Sequence, residues 1–163
     1  MNSKYVEEKL RHIDSLFGYF EKLNLDEELK SHIAKYLTVL ISGIYEESIE
    51  TILKESIQNG PISPGIEKFV FTQIGFIFRN PNRESVIKLL NQFSENWSAE
   101  LKDKIEEKDW DCLNSICANK NQIAHGNSCE ITFADIKQFY TGSLIILIEL
   151  DALILRKNRD SDL

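Results

Sequence analysis

Apolar residues recur along most of this chain at steps of three and four, the spacing that gathers them on one face of an α-helix. From Tyr5 to Leu23 they fall at Val6, Leu10, Ile13, Phe17, Phe20 and Leu23. Asn24-Leu25-Asp26 interrupts the pattern, and Asp26 stands where an N-cap is needed. Glu27 and Glu28 follow in the first turn, next to the positive end of the helix dipole. The second helix is predicted to reach about Gln58, carrying Leu29, Ile33, Leu37, Leu40, Ile41, Ile44, Ile49, Ile52 and Leu53. Gly43 lies inside it at a cost of about 1 kcal/mol relative to Ala. Close packing against another helix is the expected reason to keep it.

Asn59 to Gly65 holds two Gly and two Pro and is the clearest break in the chain. It is expected to be a loop within one domain. Ile66 to Phe78, with Phe69, Phe71, Phe76 and Phe78, is predicted to be a buried helix, with a strand as the lesser alternative. Asn80-Pro81-Asn82 is a turn, with Asn82 capping a helix through Val86, Leu89, Leu90 and Phe93. A polar helix with Trp97, Leu101 and Ile105 follows. Asp109 is expected to cap the helix bearing Trp110, Leu113, Ile116, Cys117 and Ile123, which Gly126 ends. Cys129 to Ile131 form a short loop, and Thr132-Phe133-Ala134-Asp135 fits a capping box with Asp in place of Glu. The last helix uses Ile136, Phe139, Tyr140, Leu144, Leu147, Leu150 and Ile154 and is expected to end near Arg156. The pattern predicts an all-α bundle of about five to seven helices. It is read as one domain over residues 1–163, with an N-terminal helix in 1–25 and a frayed tail at 157–163.

Composition agrees with an ordinary globule: of 163 residues, 42% are hydrophobic and 28% charged, with only seven Gly and three Pro. The three cysteines, Cys112, Cys117 and Cys129, cannot all pair within one chain, and the N-terminus has no apolar signal core. Reduced thiols in the cytoplasm are the plain reading. The spacing of Cys112 and Cys117 does not suit zinc. The run Leu144 to Leu155, interrupted by Glu149 and Asp151, is shorter than the roughly 20 residues that cross a bilayer. It is expected to be buried. A net charge of −7 counts against a generic nucleic-acid binder, so an RNA partner would need a local basic patch.

One segment carries chemistry. Asn119 to Gly126 puts a cation, an amide and an imidazole within about two helical turns, with a glycine straight after. Those groups are what cleavage of a phosphodiester needs. Lys120 and His125 lie about 140° apart around an ideal helix, whereas Asn121 and His125, four residues apart, share a face. Asn121 is therefore expected to hydrogen-bond or orient the ring, with Lys120 approaching from the flank. His125 falls in the last turn, where the dipole favours a cation. The same residues are also good capping chemistry, and on composition and spacing alone that reading leads. A single histidine is incomplete as well. Cleavage through a 2′-hydroxyl needs a base for that hydroxyl and an acid for the leaving 5′-oxygen. His12 and His32 sit on other helices without comparable neighbours, so a homodimer with two copies of His125 would be needed.

Lys120-Asn121-Gln122-Ile123-Ala124-His125-Gly126 closely resembles the "RN…AHG" signature of HEPN domains, an Arg, four to six residues, then His. Tyr36 to Glu46 resembles an early HEPN helix whose "SG…E" pattern ends in an acid. Asn80 through Phe93 and Trp97, and Ile131 to Tyr140, are similar to further segments of one branch, the stand-alone RiboL-PSP type. The resemblance covers roughly residues 30–155. It implies a helical domain that dimerises with both motifs facing one cleft. It also implies a metal-independent endoribonuclease, without cofactor, of a toxin–antitoxin, phage-defence or RNA-processing setting. An antitoxin or neighbouring defence protein would be a partner. Carried over, His125 would transfer protons, Asn121 would be the polar residue after the basic position, and Glu46 would orient the basic side chain. Lys120 takes the place of the motif's Arg, offering a point charge where Arg offers a planar two-pronged contact. Some HEPN domains are non-catalytic dimerisation or binding modules, which is the rival reading; a bare helical scaffold is the third.

Other features read as ordinary. Glu46, Glu47 and Glu50 form an acidic stripe expected to be a solvated face. Lys102, Lys104 and Lys108 interleave with Glu100, Asp103, Glu106 and Glu107, a pattern of helix ion pairs. Trp97 and Trp110 are expected in the core. The sequence has no phosphate-binding glycine loop, HExxH or nucleophile elbow.

Overall fold

A computed structural model describes residues 1–58 and 60–160, with side chains as far as Leu155. Seven helices follow one another among the described residues: α1 (Lys4–Phe20), α2 (Glu27–Gln58), α3 (Pro64–Ile77), α4 (Arg83–Phe93), α5 (Glu95–Lys104), α6 (Glu107–Ala124) and α7 (Phe133–Asp160). The fold is all-α, as the periodicity predicts.

The caps explain several boundaries. The Asp26 carboxylate accepts the Leu29 N–H at 2.8 Å, and the Asn82 amide oxygen accepts that of Ser85 at 2.8 Å. Thr132 and Asp135 close a reciprocal box, with Thr132 N–H donating to the Asp135 carboxylate at 3.0 Å and Asp135 N–H to the Thr132 hydroxyl at 3.1 Å. At α6 the expectation fails. Glu106 is the N-cap, so Asp109 lies inside the first turn, where its charge still complements the dipole. Helix α1 stops at Phe20, leaving Leu23 outside it and exposed. Helix α7 continues past Arg156 to Asp160, and the tail residues 161–163 lie outside the described residues.

Helices α2, α6 and α7 pack against one another, and their shared seam holds the core. Leu37, Ile41, Tyr45 and Ile49 of α2 meet Leu113 and Ile116 of α6 and Leu147, Leu150 and Ile154 of α7, all buried. The buried Tyr45 and Ser143 hydroxyls hydrogen-bond at 2.8 Å, which satisfies both at the centre of the bundle. Helix α1 lies along α2, with Phe17 stacked on Tyr140 of α7 at 5.5 Å between ring centroids. Phe133–Leu155 is long and apolar enough to cross a membrane by length and composition, more than the shorter run suggests. Its inward face packs against α2 and α6. Asp151, which interrupts that run, is buried because its carboxylate receives the backbone N–H groups of Asn2 (2.5 Å) and Ser3 (2.7 Å). Trp110 is fully buried, as expected, and Trp97 is half-buried against Phe93.

Two expectations about packing are corrected. Helix α3 is a helix but not a buried one: within it only Ile74 is buried, while Phe69 and Phe76 are 63% and 66% exposed. An aromatic-rich run reports affinity for an apolar partner, not that the partner lies within the same chain. Gly43 is exposed, and a Cβ added there would meet nothing within 4 Å, so packing inside the chain does not explain it. The close approach falls at Gly142 of α7, where an added Cβ would lie 2.6 Å from Cys112 Sγ of α6.

Candidate active site

The end of α6 is capped by backbone hydrogen bonds. Gly126 takes φ +70°, the left-handed conformation that glycine adopts without steric cost. Its N–H donates to Ile123 O at 3.1 Å, and the next N–H, of Asn127, reaches back to Gln122 O at 3.0 Å. This pair of bonds is the Schellman arrangement. Flanking side chains hold the segment: Asn127 Nδ2 donates to Gln122 Oε1 at 2.9 Å, and Cys129 Sγ to Asn119 Oδ1 at 3.2 Å. His125 occupies the C-cap, with φ −90° and ψ 5°, and its ring is exposed. Its backbone N–H bonds to Asn121 O at 3.1 Å. The expected hydrogen bond between the Asn121 side chain and the imidazole is not among those of the described residues. Capping therefore requires Gly126 and the main chain but makes no use of the imidazole.

Lys120, one step round α6, faces α2. There it acts on Glu46, a half-buried carboxyl. Burial holds Glu46 above the ordinary carboxylate range; the Glu50 charge pushes the same way, while Lys120 and Arg79 oppose it. No direct ion pair joins Glu46 to either cation among the described residues. Glu46 and Glu50 stand four residues apart, on one face of α2, and α3 comes close there: a Cβ on Gly75 would be 3.9 Å from Glu50 Oε2. Arg79 follows directly after the buried Phe78 at the end of α3. Two acids of α2, Lys120 of α6 and Arg79 just past α3 thus act on one another at this end of the motif.

Residues 4–156 match the family model of RiboL-PSP-HEPN. The chain belongs to the RiboL-PSP-HEPN family. No curated protein and no solved structure matches it. HEPN domains are helical, in keeping with the seven helices described, and are often ribonucleases.

In this RiboL-PSP-HEPN chain, Lys120 and Asn121 lie in the last turns of α6 and His125 caps it, while Glu46 of α2 comes within electrostatic reach of Lys120. Arg79 was not legible from spacing, since it is remote from the motif in sequence and joins it only through the approach of α3 to α2. The acidic stripe is not simply a solvated face. Glu47 turns to α1, taking the Tyr5 hydroxyl and Lys9 at 3.3 Å, and Glu50 holds Lys54 at 2.8 Å. Lys104 and Lys108 are neutralised, at 2.7 Å by Glu149 and at 2.6 Å by Glu106, whereas Lys102 lines a cleft shared with Asn121. Cys117, buried beneath Lys120, has its thiol pushed up to about 12 by burial, which removes it as a nucleophile at neutral pH. Among the described residues no three His, Cys, Asp or Glu side chains cluster as a metal site would.

Proposed function

We propose that this RiboL-PSP-HEPN protein is a metal-independent endoribonuclease that works as a cytoplasmic homodimer, in a toxin–antitoxin or phage-defence setting. The observation that carries the reading is the exposed His125 ring at a helix end that has no structural use for it, with Lys120 on the same helix and Arg79 sharing with Lys120 the Glu46 carboxylate. In the reaction, one His125 takes the proton of a 2′-hydroxyl as its oxygen bonds to phosphorus. The partner subunit's His125 protonates the 5′-oxygen as the P–O5′ bond breaks. The products are a 2′,3′-cyclic phosphate and a 5′-hydroxyl. Lys120 and Arg79 stabilise the charge that builds on the phosphorane, so Arg79 provides the planar fork that Lys120 lacks. Glu46 positions the two cations.

A dimer is supported by α3. Ile66, Phe69, Phe76 and Ile77 leave much of that helix apolar and exposed, and Arg79 lies just beyond its end. Apolar surface of this kind marks an association face, and a second copy placed there would bring apolar cover close to the motif. Free Cys112, Cys117 and Cys129 agree with a reducing compartment. The test is cleavage of single-stranded RNA in EDTA by wild type and His125→Ala. Wild type is expected to leave cyclic-phosphate ends and the variant to lose activity at least a hundredfold. Equal activity in the two overturns the role of His125. A second reading, a non-catalytic dimer that binds RNA or a neighbouring defence protein, draws on Lys120 at the Arg position. Activity in Lys120→Arg that wild type lacks would favour it.

A further inference from the structure

Helix α3 turns its most apolar side away from its own chain. Ile66, Phe69, Phe76 and Ile77 are exposed, while Ile74 on the other side enters the core. Ile66, Phe69, Gln73 and Phe76 follow one another at steps of three, four and three, the spacing of a coiled-coil seam. Gln73 is the one polar member of that seam. It is half-buried, and its side-chain amide forms no hydrogen bond among the described residues. Glu67 and Lys68 stand off the seam with opposite charges. This face therefore carries none of the net charge of −7 that sets two copies of the chain against each other.

The seam ends at the motif. Buried Phe78 follows α3 directly, and next comes Arg79, which acts on Glu46 together with Lys120. Pro64, at the other end of α3, is about 20 Å away along the helix. Two copies can pair this helix in two directions. In parallel, each seam residue meets its own equivalent, and Gln73 lies against the partner's Gln73. An amide carries both a donor and an acceptor, so the two satisfy each other, and one polar residue in a seam fixes register in this way. Both Arg79 side chains then stand at the same end. In antiparallel, Gln73 lies against the partner's Phe69, its amide is buried unpaired, and the motif ends separate by roughly 20 Å along the pair. A parallel seam with Thr72 on its flank would bury on the order of 1,000 Å² over two copies, enough for a specific but reversible contact.

We propose that α3 pairs in parallel with the α3 of a second copy, that Gln73 sets the direction, and that the two motifs meet at the C-terminal end of the pair. A second copy is the fitting occupant because an uncharged seam with an amide at one level is complementary to itself, as a two-fold contact requires. The proposal rests on the homodimer reading above. The direction of the pair follows from Gln73 whether or not RNA is cut.

Sedimentation of the full-length protein at up to about 100 μM should show a reversible dimer. Phe69→Glu should weaken it at least about thirtyfold, the loss of one interface anchor, and should keep its helical circular dichroism because the ring is exposed. Disulfide trapping reads the direction, and decides alone if Phe69→Glu does not fold. Ile66→Cys by itself and Phe76→Cys by itself should each give a covalent dimer on mild oxidation, since equivalent positions of a parallel seam lie within disulfide reach. Peptide mapping separates these links from any made by Cys112, Cys117 or Cys129. An antiparallel pair would link only in mixtures of the two variants, position 66 to position 76. Adding Gln73→Leu should let that mixed link appear beside the equivalent ones. A monomeric wild type, a dimer that folded Phe69→Glu leaves intact, or links found only in the mixture overturns the proposal. RNA cleavage by a protein whose α3 does not trap removes the α3 pair alone. Parallel trapping in a protein that cuts no RNA removes the ribonuclease reading alone.

Discussion

Replacing Gly126 by Ala asks whether the motif's glycine holds the helix end on which His125 sits. Gly126 has φ +70°, where a residue with a Cβ pays about 1–2 kcal/mol. A Cβ there meets nothing within 4 Å, so the cost is conformational and no clash adds to it. Restricting the unfolded chain returns roughly 0.4–1 kcal/mol. The net loss is therefore about 1 kcal/mol, a fall in Tm of about 2–4 °C for a chain of this size. Gly126→Asn should lose less, since Asn tolerates the left-handed region. If the backbone relaxes away, the bonds from Gly126 to Ile123 (3.1 Å) and from Asn127 to Gln122 (3.0 Å) are lost, and with them the platform of the imidazole. RNA cleavage should then fall in the order Gly, Asn, Ala. Calorimetric melting of the three proteins, with cleavage measured well below Tm, decides it. An unchanged Tm for Gly126→Ala, or equal costs for Ala and Asn, would refute the reasoning.

Gly142→Ala should cost about 1–3 kcal/mol through overpacking, because the new Cβ falls 2.6 Å from Cys112 Sγ. Adding Cys112→Ala should recover most of that in a double-mutant cycle by urea melting; strictly additive losses would show that the two sites do not meet. Asp151→Ala leaves the N–H groups of Asn2 and Ser3 without their acceptor, and should lose about 2–4 kcal/mol by the same assay. Glu46→Gln should do the reverse near neutrality. The folded carboxyl is held above its ordinary value of 4.5, so the cost of charging it grows as pH rises through the folded value. Gln should raise Tm at about pH 7 and give no gain at about pH 4, where the acid is protonated in both states. A gain that persists in acid would mean that burial of the charge is not its cause.

How far the chain could be read beforehand differs by element. Asp26, Asn82 and the Thr132–Asp135 pair announced three helix starts, because capping is local chemistry between residues a few positions apart. The start of α6 was misplaced by three residues since Glu106, which makes no side-chain cap bond, leaves no such mark. Gly126 was legible as a terminator for the same local reason. Burial was not: the Phe residues of α3 look like core by composition, yet their direction depends on which face of α3 meets α2. The site divides the same way. Lys120, Asn121 and His125 are neighbours in sequence, and Glu46 was reached only through its likeness to a HEPN helix. Arg79 depends on α3 lying beside α2, and the cleft along α6 on α4 lying beside α6, tertiary facts with no periodicity to report them.

The composite site is tested most directly by mixing subunits. Wild-type and His125→Ala chains are co-refolded in graded proportions, and RNA cleavage is followed in EDTA. If each cut needs a His125 from both subunits, activity falls as the square of the wild-type fraction. A linear fall would mean that each subunit cuts with its own His125, and no cleavage by pure wild type would contradict the ribonuclease reading altogether.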